Sequence, residues 1–192
     1  MKNSFSPTSP ASTEDESRHV LRNGTIIVVR PIRAADVELE RNFIERLSPE
    51  SRRARFLAAV KTPSRELLKQ LTQPQLTGGI AYVALVGQGV ATQEIGVARY
   101  SSSADPRACE CAVVVSDEWQ GLGIATLLMH KLIDTARANG FQRMYSIDAT
   151  GNQEMRELGA HLGFKCSPDH EDPTLVIHTL TLQPAPAGAS AA

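Results

Sequence analysis

Apolar and polar positions follow two rhythms along this chain, and each change of rhythm marks an element. In "GTIIVVRPI" the β-branched residues run together and a proline stops them, which predicts a strand. From Asp36 the spacing lengthens: Val37, Leu39, Phe43, Ile44 and Leu47 fall on one side of a helix whose other side is charged. "SPESRRARFL" predicts a second helix, with Ser48 as N-cap and Pro49 at its first position, and "SRELLKQLTQ" a third. After "TGG" the rhythm shortens. Ile80–Val86 and Glu94–Tyr100 read as strands joined across "GQGVATQ" in a hairpin, and Cys109–Val115 as a third strand. The helical rhythm returns with Ile124, Leu127, Leu128, Leu132, Ile133 and Ala136, and Gly140 ends it. A short strand in "QRMYSID", a helix in "NQEMRELGAHLGF" and a strand in "TLVIHTLTL" complete the series. The order predicts a mixed α/β (α+β) sheet, an antiparallel meander feeding a crossover helix, with no internal repeat.

At 192 residues and 42% hydrophobic content, one core suffices for one domain. Residues 1–18 and 183–192 are too poor in apolar residues to offset ordering entropy, so the expected domain runs from 19 to 182 between two disordered tails. A formal net charge of -1 gives no basic field for nucleic acid or an anionic membrane. No apolar run reaches the roughly 18 residues of a membrane span or forms a signal-peptide core. Three cysteines, Cys109, Cys111 and Cys166, fit free thiols better than a disulfide framework, so the cytoplasm is the expected compartment.

The best amphipathic helix is preceded directly by a bare turn, Gln120-Gly121-Leu122-Gly123. On residues alone two readings stay open. The glycines permit a tight strand-to-helix turn, or they let an anion approach the unpaired N–H groups of the helix start. The dinucleotide fingerprint fails because Thr126 stands at its third glycine, and no Gly-Lys-Ser/Thr completes a P-loop. Gln120-x-x-Gly123-x-Ala125 instead resembles the Q/R-x-x-G-x-G/A signature of the GCN5-related N-acetyltransferase (GNAT) superfamily. "NQEMRELGAHLGF" is similar to the family's second cofactor segment, through Asn152, Leu158, Gly163 and Phe164. "LRNGTIIVVRPIRAADVE" and "LSPESRRARF" are similar to the acetyltransferase domain of bacterial Pat-type protein lysine acetyltransferases.

The resemblance implies a mostly antiparallel central sheet flanked by helices, and acetyl-CoA as cosubstrate without a metal. It implies that Gln120, Gly121, Leu122, Gly123, Ile124, Ala125, Thr126 and Asn152 bind the cofactor, with backbone N–H groups of Val113, Val114 and Val115 along its pantetheine. The acceptor would be a primary amine, a protein lysine favoured; a small amine, or a non-catalytic acyl-CoA-binding role, are the alternatives. A lysine of pKa ~10.4 needs ~4–5 kcal/mol to shed its proton at neutral pH, so a base is useful. Glu110 shares a strand face with Ala112 and Val114. By itself it reads as a solvent-facing residue, a partner of Arg99, or a part-buried base; the resemblance implies the base. Cys109 and Cys111, two apart on one strand, make a poor metal site. Gly159 stands where many relatives carry the tyrosine that protonates the leaving thiolate. Met155 is expected in the core, His130 and His161 at the surface, and Arg52, Arg53 and Arg55 on a solvated face. Asn152 is as apt to cap its helix as to meet the cofactor.

Overall fold

The computed structural model describes residues 16–57 and 62–182. Eight strands, β1 (Ser17–Val20), β2 (Ile26–Pro31), β3 (Ile80–Val86), β4 (Gln93–Ser102), β5 (Ala108–Val115), β6 (Arg143–Ala149), β7 (Lys165–Pro168) and β8 (Leu175–Thr181), form one sheet in the order β1-β2-β3-β4-β5-β6-β8-β7. Every neighbouring pair is antiparallel except β5 and β6. Five helices accompany it: α1 (Val37–Arg46), α2 (Pro49–Phe56), α3 (Arg65–Thr72), α4 (Ile124–Ala138) and α5 (Gln153–Leu162). Of the two tails expected from composition, 1–15 and 183–192 lie outside the described residues, and Ser17 and Arg18 belong to β1. The elements read from the rhythm are all present. The two short edge strands β1 and β7 were not foreseen, because neither "SRHV" nor "KCSP" has an apolar alternation to announce it.

The alternation of β3, β4 and β5 feeds two cores, one on each face of the sheet. On one face Phe43, Ile44, Leu68 and Leu71 of α1 and α3 pack on Val83 and Val97. On the other, Ile124, Leu128, Leu132 and Ala136 of α4 pack on Ala98, Cys109, Cys111 and Val115. Ser48 caps α2 as expected, accepting from the Ser51 N–H at 3.1 Å, and Gly140 ends α4 at φ +83°.

A bulge breaks the register of β4. Gly96 pairs with Ala84 and Glu94 with Leu85, so Ile95 is the extra residue and Glu94 is thrown onto the α1 face. There it is fully buried, as is Glu40 of α1. Neither Glu94 oxygen has a donor among the described residues, nor does Oε2 of Glu40, whose Oε1 accepts from Arg99 at 2.7 Å. Burial, then the neighbouring Glu40, raise the Glu94 carboxyl well above its ordinary range. This favours the neutral acid, and a proton on Glu94 shared with Glu40 joins two of the three orphaned oxygens.

Candidate active site

Among the described residues, the one parallel pairing in the sheet is also its shortest ladder. β5 and β6 pair only from Ala108–Arg143 to Glu110–Tyr145, and beyond that the two strands separate. The result is a wedge between Cys111–Val115 and Ser146–Ala149, opening toward the start of α4. Which β5 backbone groups face it follows from two bonds to β4. Ser116 donates its N–H to the Ile95 carbonyl at 2.9 Å, and the Ala108 carbonyl accepts from Ser103 at 3.3 Å. Even-numbered residues of β5 thus turn their peptide groups to β4, and Cys111, Val113 and Val115 turn theirs to the wedge. Gln120 Nε2 donates to the Val115 carbonyl at 3.3 Å, on the wedge side, as the alternation requires. This corrects one expectation: the Val114 N–H points at β4, so Val114 offers the cleft its side chain alone.

The wedge is one end of a cleft of about 780 Å³ that reaches the turn before α4. Gly121 and Gly123 hold φ +72° and +87°, a region closed to most side chains, and a Cβ at either would meet no protein atom within 4 Å. Gly123 is the N-cap and supplies no capping side chain; the first turn of α4 has no acid. Among the described residues no hydrogen bond reaches the N–H groups of Gly121 through Thr126, the next one, Leu127, being the first to bond back to Gly123. Free amides, a helix dipole and open space above two glycines suit a phosphate or diphosphate. Gln120, Gly121, Gly123, Ile124, Ala125 and Thr126 all line the cleft. The Leu122 side chain packs on the α4 core instead. Asn152 caps its helix, its Oδ1 accepting from the Met155 N–H at 3.1 Å, and the residue also lines the cleft.

Glu110 lies at the fork, the last residue of β5 paired to β6. Of the three readings open for it, the structure matches the solvent-facing one: it is exposed, because β5 turns it to the α2 side, where no described residue covers it. Nor does Arg99 hold it: Arg99 pairs with Glu40 and donates to the Leu71 carbonyl at 2.8 Å. Glu110 makes no hydrogen bond or ion pair among the described residues, and so keeps both oxygens available. Arg55, expected on a solvated face, is instead half-buried on the cleft wall, its guanidinium 4.9 Å above the Phe56 ring. Desolvation and the nearby Arg99 push it down to about 10, which leaves it a cation beside Glu110 at neutral pH. Its i, i+2 spacing from Arg53, which is exposed, hid this role in the sequence.

Ser146 and Asp148 of β6 also line the cleft, and no motif pointed to them. Cys109 and Cys111 are fully buried; desolvation pushes the Cys109 thiol up to about 12 and Cys111 well above its ordinary value, which leaves neither a useful thiolate. Among the described residues no cluster of three metal-ligating side chains occurs, and no helix is long and apolar enough to cross a membrane.

Comparison with known proteins agrees with this geometry. Residues 50–164 match the model of the acetyltransferase (GNAT) family. The chain is 45% identical over 168 residues to Acetyltransferase PA5475 of Pseudomonas aeruginosa, covering 88% of this chain and 87% of that one. It is 31% identical over 144 residues to Acetyltransferase Pat of Mycolicibacterium smegmatis, of which it covers 42%. Among solved structures, the GNAT domain of S. lividans PAT superposes with a TM-score of 0.80 at 25% identity, over 90% of this chain and all of that one. A wedge between the parallel strands β5 and β6, an uncapped glycine turn beyond it and these matches lead to one conclusion: the chain belongs to the acetyltransferase (GNAT) family.

Proposed function

We propose that this protein moves an acetyl group from acetyl-CoA to a primary amine, with a protein lysine side chain as the favoured acceptor. The observation that carries this reading is the continuity of the cleft, from free helix-start amides, past the Val113 peptide group, to an unpaired carboxylate at the fork. The amides of Gly121 to Thr126 would hold the diphosphate of the cosubstrate, and Val113 would bond its pantetheine arm. Glu110 takes the proton of the acceptor nitrogen, and a wedge amide aimed at the acyl oxygen stabilises the charge that develops there.

The exposure of Glu110 supports a lysine on another protein over a small amine. A long side chain reaches an open carboxylate easily, whereas a small acceptor gains most from an enclosed pocket. Arg22 and Arg55 on the cleft wall suit acidic residues flanking the lysine. Purified protein given acetyl-CoA and either a lysine-peptide pool or a small-amine pool tests the choice. Thiol release with the peptides alone is expected; release with the small amines alone would reverse the acceptor assignment.

A further inference from the structure

The buried face of β6 carries Met144, Ser146 and Asp148, and only the first is the apolar residue such a face calls for. His178 of β8 pairs directly with Ser146 and is 1% exposed, with its Nε2 lacking any partner among the described residues. The Ser146 hydroxyl donates to Asp148 Oδ2 at 2.7 Å. Over His178 lies Gly159 of α5. A Cβ on Gly159 would stand 3.1 Å from His178 Nδ1, so the imidazole occupies the space over that glycine. A buried polar group without a role is costly, and here Ser146 and Asp148 line the reaction cleft with His178 directly behind them.

We propose that Asp148 is the acid that protonates the departing thiolate, with Ser146 as its hydrogen-bonded neighbour in the cleft and His178 as the positioning residue behind it. The register argues for the location. Tyr145 is the partner of Glu110, so Ser146 is the first residue of β6 beyond the fork, and Asp148 stands two further along the wedge. Glu110 points to the α2 side of the sheet and Ser146 and Asp148 to the α5 side, so base and acid flank the wedge from opposite faces. This inference rests on the transferase reading above. The acceptor nitrogen bonds to the acyl carbon and the carbon–sulfur bond breaks, its electron pair staying on sulfur. Sulfur takes the carboxyl proton of Asp148, and Glu110 takes the surplus proton of the nitrogen. Asp148 then regains a proton from solvent as Glu110 releases one.

The surroundings favour a proton on Asp148. Burial raises its carboxyl, against the Ser146 hydrogen bond and the His178 ring, which lower it. Burial also lowers His178, with Arg156 of α5 acting in the same direction and Asp148 against it. The remaining polar neighbours of His178 are Ser146 across one strand and Cys166 across the other. Glu154, Glu157 and His161 of α5 line the same cleft.

Asp148→Asn keeps the shape and the Ser146 bond but has no proton to give. Its expected effect is a kcat lower by on the order of 10²-fold with KM for acetyl-CoA unchanged, and loss of the alkaline fall in kcat that the proposal predicts for the wild type. In the free protein the His178 imidazole, followed by NMR, should titrate alike in the wild type and in Asp148→Asn, because a protonated Asp148 has no charge to lose; a lower value in the variant would reveal a carboxylate there and contradict the acid. Wild-type kcat that stays flat into alkaline solution overturns the proposal without any variant, as does Asp148→Asn with the wild-type rate and profile. Acetyl-CoA binding with no thiol release to any amine would instead remove the transferase reading itself.

Discussion

The roles proposed for Glu110, Gly123 and Asp148 each rest on a single feature of local geometry, and each can be tested alone. Glu110→Gln is isosteric and removes a carboxylate that holds no partner, so stability should not change while kcat falls by on the order of 10²-fold. The check is a pH–rate series, where the ascending arm should flatten in the variant; an unchanged rate would put the base elsewhere. Gly123→Val sets a β-branched residue at φ +87° and a side chain over the free amides. Calorimetric titration should show acetyl-CoA binding weakened by roughly tenfold, about 1.4 kcal/mol, and an unchanged affinity would mean that the turn is only a turn. The turn itself was legible because Gly121 and Gly123 stand directly before the amphipathic run, whereas its reading as a cofactor site came from the family resemblance. Ser146, Asp148 and His178 were not, since they come from two strands far apart in the chain and only the sheet register unites them.

At the level of elements, two buried charge networks hold α1 and its approach against the sheet. Arg30 of β2 and Asp36, just before α1, form a bidentate pair with bonds of 2.7 and 2.8 Å, both side chains nearly buried. Asp36→Ala leaves a buried guanidinium unpaired, and denaturant unfolding should show a loss of about 3–5 kcal/mol. The second network is the Glu94–Glu40–Arg99 chain that the β4 bulge creates. Glu94 is neutral in the folded protein and its folded-state value is raised, so its contribution is full at pH below the ordinary carboxyl value. That contribution is lost as pH rises through the raised value. Glu94→Gln can still donate to Glu40 and has no proton to lose. Its melting temperature should therefore hold better than the wild type's on going alkaline, and an identical pH dependence would contradict a neutral Glu94. The helices and long strands were legible because their apolar spacing is regular. The bulge was not, because Ile95 continues the apolar run of β4 and its register depends on β3.

For the whole molecule, the fold explains why one wedge can serve both substrates. A sheet that is antiparallel except at β5–β6 splays only there, and the crossover helix α4 between those two strands brings its uncapped start to the opening. The cleft then passes through the sheet, with α2 and Glu110 on one side and α5 with Ser146 and Asp148 on the other. The antiparallel run β3-β4-β5 and the crossover helix after it could be anticipated from the succession of elements; the edge strands β1 and β7 could not. The separation of β5 from β6 is a matter of ladder length and is written in no local motif. The central claim is acetyl transfer through this wedge. Its most direct test incubates the purified protein with acetyl-CoA and a lysine-peptide pool, measuring free thiol and acetylated peptide together. The account predicts equal amounts of both, lost in parallel in Glu110→Gln; saturable acetyl-CoA binding with neither product, from peptides or from small amines, would contradict it.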